Sequence, residues 1–289
     1  KDNVNKINLK KRFVIGSANF TQKYGADPIK IKQIEIKKIL QLAKENSIYK
    51  IDSAEAYLKN KCFFKKIDKK FKFSSKIIPN PRWVSLEYCQ KKIEGHFKNF
   101  NTNNIEIILL HDIQILFTKD GPKIFKNLEI LKKKNYFKKI GISIYDTNCL
   151  NKITKDYDFD VVQCPYNVLD RRILTTGWYD KLKNQGIETH IRSIFLQGLL
   201  VNKSVYKKNY FKKWQKFYIN WFQNLENNNV SPIDYCLSDL LNYDFNKIII
   251  GINNSKNLKE IINFKTIDKN KMINFNISDT RLIDPRNWK

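Results

Sequence analysis

The sequence predicts an α/β fold, a single-domain (β/α)8 TIM barrel, from three observations. Eight short apolar segments recur along the 289 residues. Each is followed by a stretch of helical spacing or a loop that contains one, and the intervals are too long for hairpins, so a parallel sheet with helical crossovers is expected. No break in composition divides the chain, and eight units in ~250 residues suit a closed barrel better than an open doubly wound sheet.

Phe13 to Gly16 reads as the first strand, ending in the small-residue loop Ser17-Ala18-Asn19. Ile36, Ile39, Leu40 and Ala43 recur at three and four, which predicts a helix within Ile31 to Asn46. Ile48 to Asp52 is the second strand, and Phe71 to Lys76 the third, after a less regular Lys-rich stretch. Pro79-Asn80-Pro81 makes a turn before a helix from Ser85 to Phe100, with Cys89, Ile93 and Phe97 on one stripe. Ile105 to Leu110 is the most apolar strand, followed by a helix from Pro122 to Asn135 and a fifth strand, Lys139 to Ser143. A short helix, Thr147 to Lys155, leads to the sixth strand, Asp160 to Gln163. A helix from Tyr179 to Asn184 stops at Gly186, as a C-terminal glycine favours, before the seventh strand, Ile187 to Arg192. Helices over Phe211 to Asn227 and Pro232 to Asn242 precede the eighth strand, Lys247 to Gly251, and a last helix, Ser255 to Phe264. Residues 1–264 are thus expected to form the barrel, and residues 265–289 a tail that folds back over it.

Composition narrows the class. With 42% hydrophobic and 13% aromatic residues the chain can bury a full core. No apolar run approaches the ~18 to 20 residues needed to span a bilayer, and the charged N-terminus lacks the apolar stretch of a leader. The five cysteines are scattered, which suits reduced thiols rather than disulfides or a zinc knuckle. A cytoplasmic protein with no membrane partner and no metal is expected. The net charge of +26, from 54 Lys+Arg against 28 Asp+Glu, raises the question of nucleic acid. The basic residues are nearly all Lys and spread over every segment, without an Arg-rich tract or a basic-aromatic motif, so they read as compositional bias and no nucleic-acid partner is expected.

Four proton-handling residues stand at the exits of three successive strands: Asp52 and Tyr57, then Lys76, then His111. In a barrel these exits share one rim, where active sites form. A tyrosine is a poor acid near neutrality unless a cation stabilises its phenolate. Lys76 supplies a cation, Asp52 is the counter-charge that a buried lysine needs, and His111 can donate a hydrogen bond to a substrate oxygen. Such a set suits protonation of an oxygen that becomes an alcohol. Acyl transfer would need an activated nucleophile instead.

Gly16, the run Ile51-Asp52-Ser53-Ala54-Glu55-Ala56-Tyr57, Ser75-Lys76, Leu110-His111, Gly141-Ile142-Ser143, Gln163-Cys164-Pro165-Tyr166-Asn167 and Leu196-Gln197-Gly198-Leu199-Leu200 together resemble, in order, the motifs of the aldo-keto reductases. The resemblance implies the same barrel and reduction of an aldehyde or ketone by hydride from NADPH or NADH. It implies Tyr57 as general acid, Lys76 and Asp52 tuning it, and His111 positioning the carbonyl. For the cofactor it implies Gly16 at the first strand end, Ser143 and Gln163 on the nicotinamide carboxamide, Arg192 stacking on its ring, and the loop from Gly251 through Asn257 to Glu260 at the phosphate end. Ile144 stands where the family commonly has Asn, Asn257 where it has Arg, Ile261 where it has Asn, and Leu58 and Lys61 change the loop after Tyr57. The changes at Asn257 and Ile261 remove a contact to a 2′-phosphate and weaken the family's preference for NADP over NAD, with Lys256 and Lys259 as the candidate compensating cations. Trp288 in the tail is the expected substrate-lining residue, and a sugar or anionic aldehyde fits the charge. The alternative is an aldo-keto reductase-like protein, impaired in turnover, that binds cofactor and acts as a regulatory or interaction subunit.

Overall fold

Eight parallel strands close into a barrel in chain order: β1 Phe13–Gly16, β2 Lys50–Ala54, β3 Lys72–Ile77, β4 Ile105–Leu110, β5 Lys139–Ser143, β6 Val161–Pro165, β7 Glu188–Arg192 and β8 Lys247–Gly251. This computed structural model describes residues 2–26, 28, 30–60, 67–100, 105–268, 277 and 279–288. The last pairing, β1 with β8 from Phe13↔Ile248 to Gly16↔Gly251, closes the ring. The expected (β/α)8 architecture is the one observed.

The major helices are Gln33–Glu45, Leu86–Phe100, Gly121–Lys133, Leu150–Asp156, Trp178–Asn184, Gln215–Asn227, Pro232–Asp239 and Ser255–Ile262. Each buries an apolar stripe; Ile36, Ile39, Leu40 and Ala43 form that of the first. Pro232 at the first turn and the Ser231 side chain accepting from the Asp234 amide start the Pro232–Asp239 helix as sequence rules require. Three expectations shift. β2 runs Lys50–Ala54 rather than Ile48 to Asp52, which places Asp52 inside the strand. The helical stretch from Phe211 starts as 3-10 turns over Asn209–Trp214. A helix at Asp2–Lys10, absent from the sequence reading, precedes β1; of its described side chains only Leu9 is buried, so no apolar period marks it.

Inside the barrel the pleat sorts side chains by height. Lys72 and Ser74 on β3, Lys139 on β5 and His190 on β7 line a cavity at the strand starts, and Lys76, Ser143 and Arg192 on the same three strands line one at the strand ends. Between the two lies a small apolar cluster, Ile107, Leu109 and Val161, separate from the main core. Gly141 completes this floor: a Cβ there would sit 2.4 Å from the Val161 carbonyl oxygen and 2.6 Å from Leu109 Cδ2.

Among the described residues no helix is long and apolar enough to cross a membrane, and no group of three or more His, Cys, Asp or Glu side chains is placed to hold a metal. Cys89, Cys149, Cys164 and Cys236 are free thiols; Cys62 lies outside the described residues.

Candidate active site

A cavity of about 460 Å³ opens at the C-terminal ends of the strands. Asp52, Tyr57, Lys76 and His111 all line it. Asp52 and Lys76 sit within the neighbouring strands β2 and β3, where the register sets Asp52 opposite Ser74 and Lys76 opposite Ala54, and are 4% and 3% exposed. Tyr57 lies in the 3-10 turn Glu55–Asn60 that leaves β2, and His111 is the residue after β4, its amide donating to the Ile77 carbonyl at 2.8 Å.

The Lys76 ammonium donates to Asp52 Oδ1, with a longer contact to the Ser53 carbonyl at 3.4 Å. The other carboxylate oxygen of Asp52 accepts from Ser74 Oγ at 3.0 Å and Gln163 Nε2 at 2.8 Å. Asp52 is therefore a hub with three donors, which is how a buried charge is kept in an apolar barrel. Burial lowers the Lys76 pKa, and the Asp52 carboxylate opposes that shift. Burial, then Lys76 and Arg192, pulls His111 down to about 4, so its imidazole is neutral at physiological pH.

Tyr57 departs from the simple expectation. Burial raises its pKa well above the usual phenol range, with Tyr24 and Asp52 adding to the shift, and the cation that opposes it is Arg192. No hydrogen bond joins Tyr57 to Lys76, whose charge is turned to Asp52. Tyr57 thus holds its proton firmly in this arrangement.

Gly16, Ser143 and Arg192 also line the cavity, and Gly251, Asn257 and Glu260 line its far end beside the Ser255–Ile262 helix. Two predicted residues are placed elsewhere. Gln163 is fully buried, absent from the lining, and engaged by Asp52 and, at 3.5 Å, by Ser143 Oγ. Trp288 does not reach the cavity: its Nε1 donates to the Leu282 carbonyl at 3.0 Å, and its ring stands edge-on to Phe211 at 5.0 Å. A tail tryptophan near Phe211 gains more by packing than by facing solvent in a pocket. Ile144, in place of the usual Asn, contributes its carbonyl, which accepts from Arg192 Nη2 at 2.9 Å. Lys61 lies outside the described residues.

Sequence reasoning missed the tyrosines around Tyr57. Tyr145 lies between two guanidiniums, Arg192 at 4.3 Å and Arg286 of the tail at 4.0 Å. Arg286 is fixed by both oxygens of the buried Asp284 carboxylate, 3.0 and 2.6 Å from its Nε and Nη2. Tyr24 lines the opposite wall and accepts from Gln197 Nε2 at 3.2 Å. Gln197 belongs to a loop after β7 where Ser193, Leu196 and Gln197 all have positive φ (62°, 46° and 53°). Such strain persists where surrounding contacts hold it, often at functional sites. The proximity of Tyr145 to Ser143 in sequence was the one available signal.

The sequence profile of the Aldo/keto reductase family matches residues 12–275. Comparison with curated proteins by sequence finds no significant match. Among solved structures, the holo form of aldo-keto reductase AKR11C1 from Bacillus halodurans superposes with a TM-score of 0.70 at 15% identity, covering 93% of this chain and 95% of that one. Glycerol dehydrogenase AKR11B4 from Gluconobacter oxydans gives 0.67 at 12% identity, over 90% and 88% of the two chains. A mutant of Gox0644 in complex with NADPH gives 0.62 at 15%, over 90% and 86%. With the profile spanning all eight strands of the barrel, the chain belongs to the aldo/keto reductase family.

Proposed function

We propose that the chain reduces a small aldehyde or ketone to the alcohol with NAD(P)H, Tyr57 acting as general acid, residues 1–264 forming the catalytic barrel and 265–289 the tail. The observation that carries this reading is the convergence of Tyr57, His111, Arg192 and the Asp52–Lys76 pair on one cavity. The lining also fits a nicotinamide dinucleotide: the Ser143 hydroxyl, the Arg192 guanidinium and the side-chain amides of Asn253 and Asn257 are spaced along walls that include Ile194, Phe195 and Ile249. No metal is needed for this donor set.

When bound, the nucleotide supplies the hydride. His111, neutral at its lowered pKa, donates a hydrogen bond to the carbonyl oxygen and fixes its direction. Tyr57 keeps its proton until negative charge grows on that oxygen, then transfers it. Arg192 faces the phenolate left behind, and the Asp52–Lys76 pair holds the floor of the site rigid and dry. General acid catalysis of this kind contributes ~10² to 10⁴ in rate.

At the far end, the amide and hydroxyl of Ser255 both donate to Glu35 Oε1, at 2.7 and 2.6 Å, and the Asn257 amide donates to Asn254 Oδ1 at 2.8 Å. Glu35, whose other oxygen pairs with Lys38 at 3.6 Å, occupies the Ser255 amide and hydroxyl that a 2′-phosphate would need, and Asn257 offers no charge to hold one. This arrangement favours NADH. Fluorescence titration with both nucleotides, followed by loss of the nicotinamide absorbance on adding a panel of aldehydes, tests the proposal. NADH binding at least as tightly as NADPH, with turnover, is expected; tenfold tighter NADPH contradicts the preference. Binding without turnover on any carbonyl leaves the regulatory reading, which rests on the altered loop after Tyr57 and the altered loop at the phosphate end.

A further inference from the structure

The barrel has a second chamber, about 290 Å³, at its N-terminal mouth, separated from the active-site cavity by the Ile107, Leu109 and Val161 floor. Its charges do not balance. Lys50, Lys72 and Lys138 share a single carboxylate, Glu106, at 3.1, 3.2 and 3.4 Å. Lys139 and the His190 ring both take Glu188, the latter at 2.9 Å. Lys247 lines the same chamber half-buried, and among the described residues no carboxylate lies within ion-pair distance of it. With His190 kept neutral by burial, five lysines face two glutamates, a surplus of three positive charges.

We propose that this mouth is a binding site for a compact phosphate-class oxyanion carrying two or three negative charges. Four of the lysines, Lys50, Lys72, Lys139 and Lys247, are the first residues of their strands, so β2, β3, β5 and β8 deliver them to one ring. Convergence on a closed ring distinguishes them from lysines scattered over a solvated surface. The pocket contains no arginine. A guanidinium fork suits a planar carboxylate, whereas ammonium groups act as point charges suited to the concentrated charge of a tetrahedral oxyanion. Burial, then Lys50 and Lys139, lowers the Lys247 pKa against the opposing pull of Glu188 and Glu106, and an anion in the chamber adds to that pull. The inference does not depend on the proposed catalysis, because none of these lysines touches the upper cavity.

The test is calorimetric titration of the full chain with pyrophosphate, comparing Lys247→Gln, Lys247→Arg, the exposed Lys216→Gln and the upper-cavity Arg192→Gln. The proposal expects one saturable site, weakened about tenfold by Lys247→Gln, as loss of one charge-assisted contact does. Lys247→Arg should retain most of the affinity, and the other two variants all of it. Non-saturable heat, or equal weakening by Lys216→Gln, overturns it in favour of diffuse attraction to the +26 surface. Weakening by Arg192→Gln, or displacement of the pyrophosphate by NADH, also overturns it, by placing the anion in the catalytic cavity. If Lys247→Gln fails to fold, Lys72→Gln, whose side chain is 48% exposed, gives the same reading.

Discussion

At the C-terminal end of the barrel the Lys76 ammonium, almost wholly buried, has Asp52 to itself, and Asp52 has two further donors. At the N-terminal end three lysines with side chains 39% to 72% exposed share one glutamate, and among the described residues Lys247 has no carboxylate within ion-pair distance. The same residue type is thus held under two regimes. Burial sets the rule: a desolvated cation needs its own counter-charge, while a half-hydrated one keeps water as partner and is free to meet a ligand.

The largest expected effect breaks the first regime. Asp52→Ala leaves Lys76 buried and alone, at a cost of ~3 to 5 kcal/mol in stability. Glu106→Gln at the mouth should cost ~1 kcal/mol or less, because its lysines reach solvent. Denaturant unfolding of both variants decides, and equal costs would dissolve the contrast. Next, Gly141→Ala forces a methyl into the floor between the chambers, where overpacking costs ~1 to 3 kcal/mol. A thermal midpoint unchanged from wild type would show that the floor yields.

Acid should act in two stages, histidines first and carboxylates second. The unfolded chain binds a proton at each histidine near pH ~6.5, while folded His111 does so only near 4. His96 and His190 shift in the same direction. Stability present above pH ~6.5 is therefore lost as pH falls toward 4. At the mouth, the hydrogen bond from His190 is the main cause holding Glu188 down to about 2, so that loss begins only below its ordinary value of 4.5. Unfolding free energies measured across this range should fall in two stages; a flat profile down to pH ~4.5 contradicts the histidine assignment. The smallest effect is where Arg286 of the tail meets the rim. Tyr145→Leu removes the ring held between Arg192 and Arg286 and leaves the Arg286–Asp284 pair intact, a loss of cation–π contacts of ~0.5 to 1 kcal/mol each. Its effect on substrate KM should exceed its effect on thermal stability.

The upper end was legible in the sequence because its residues follow apolar runs directly: Lys76 near the end of β3, His111 just past β4, Asp52 within β2. A residue whose height is set by a strand is placed by the pleat alone. Gln197 falls in a motif named from the sequence, but its place at the cavity beside Tyr24 was not legible, because loop geometry depends on contacts distant in sequence, such as the Ala26 amide on the Gln197 carbonyl. Trp288 was expected in the pocket and packs on Phe211, because nothing local to the tail encodes which face it presents. The lysine ring has a sequence signal, Lys at the first position of β2, β3, β5 and β8, but a chain so rich in lysine hides it.

The central claim concerns Tyr57, and one comparison tests it most directly: nucleotide affinity and carbonyl turnover measured side by side for wild type and Tyr57→Phe. The account predicts unchanged nucleotide binding with turnover reduced by ~10³, the range a lost general acid produces. Turnover that survives in Tyr57→Phe would contradict it and move the proton to another group in the cavity.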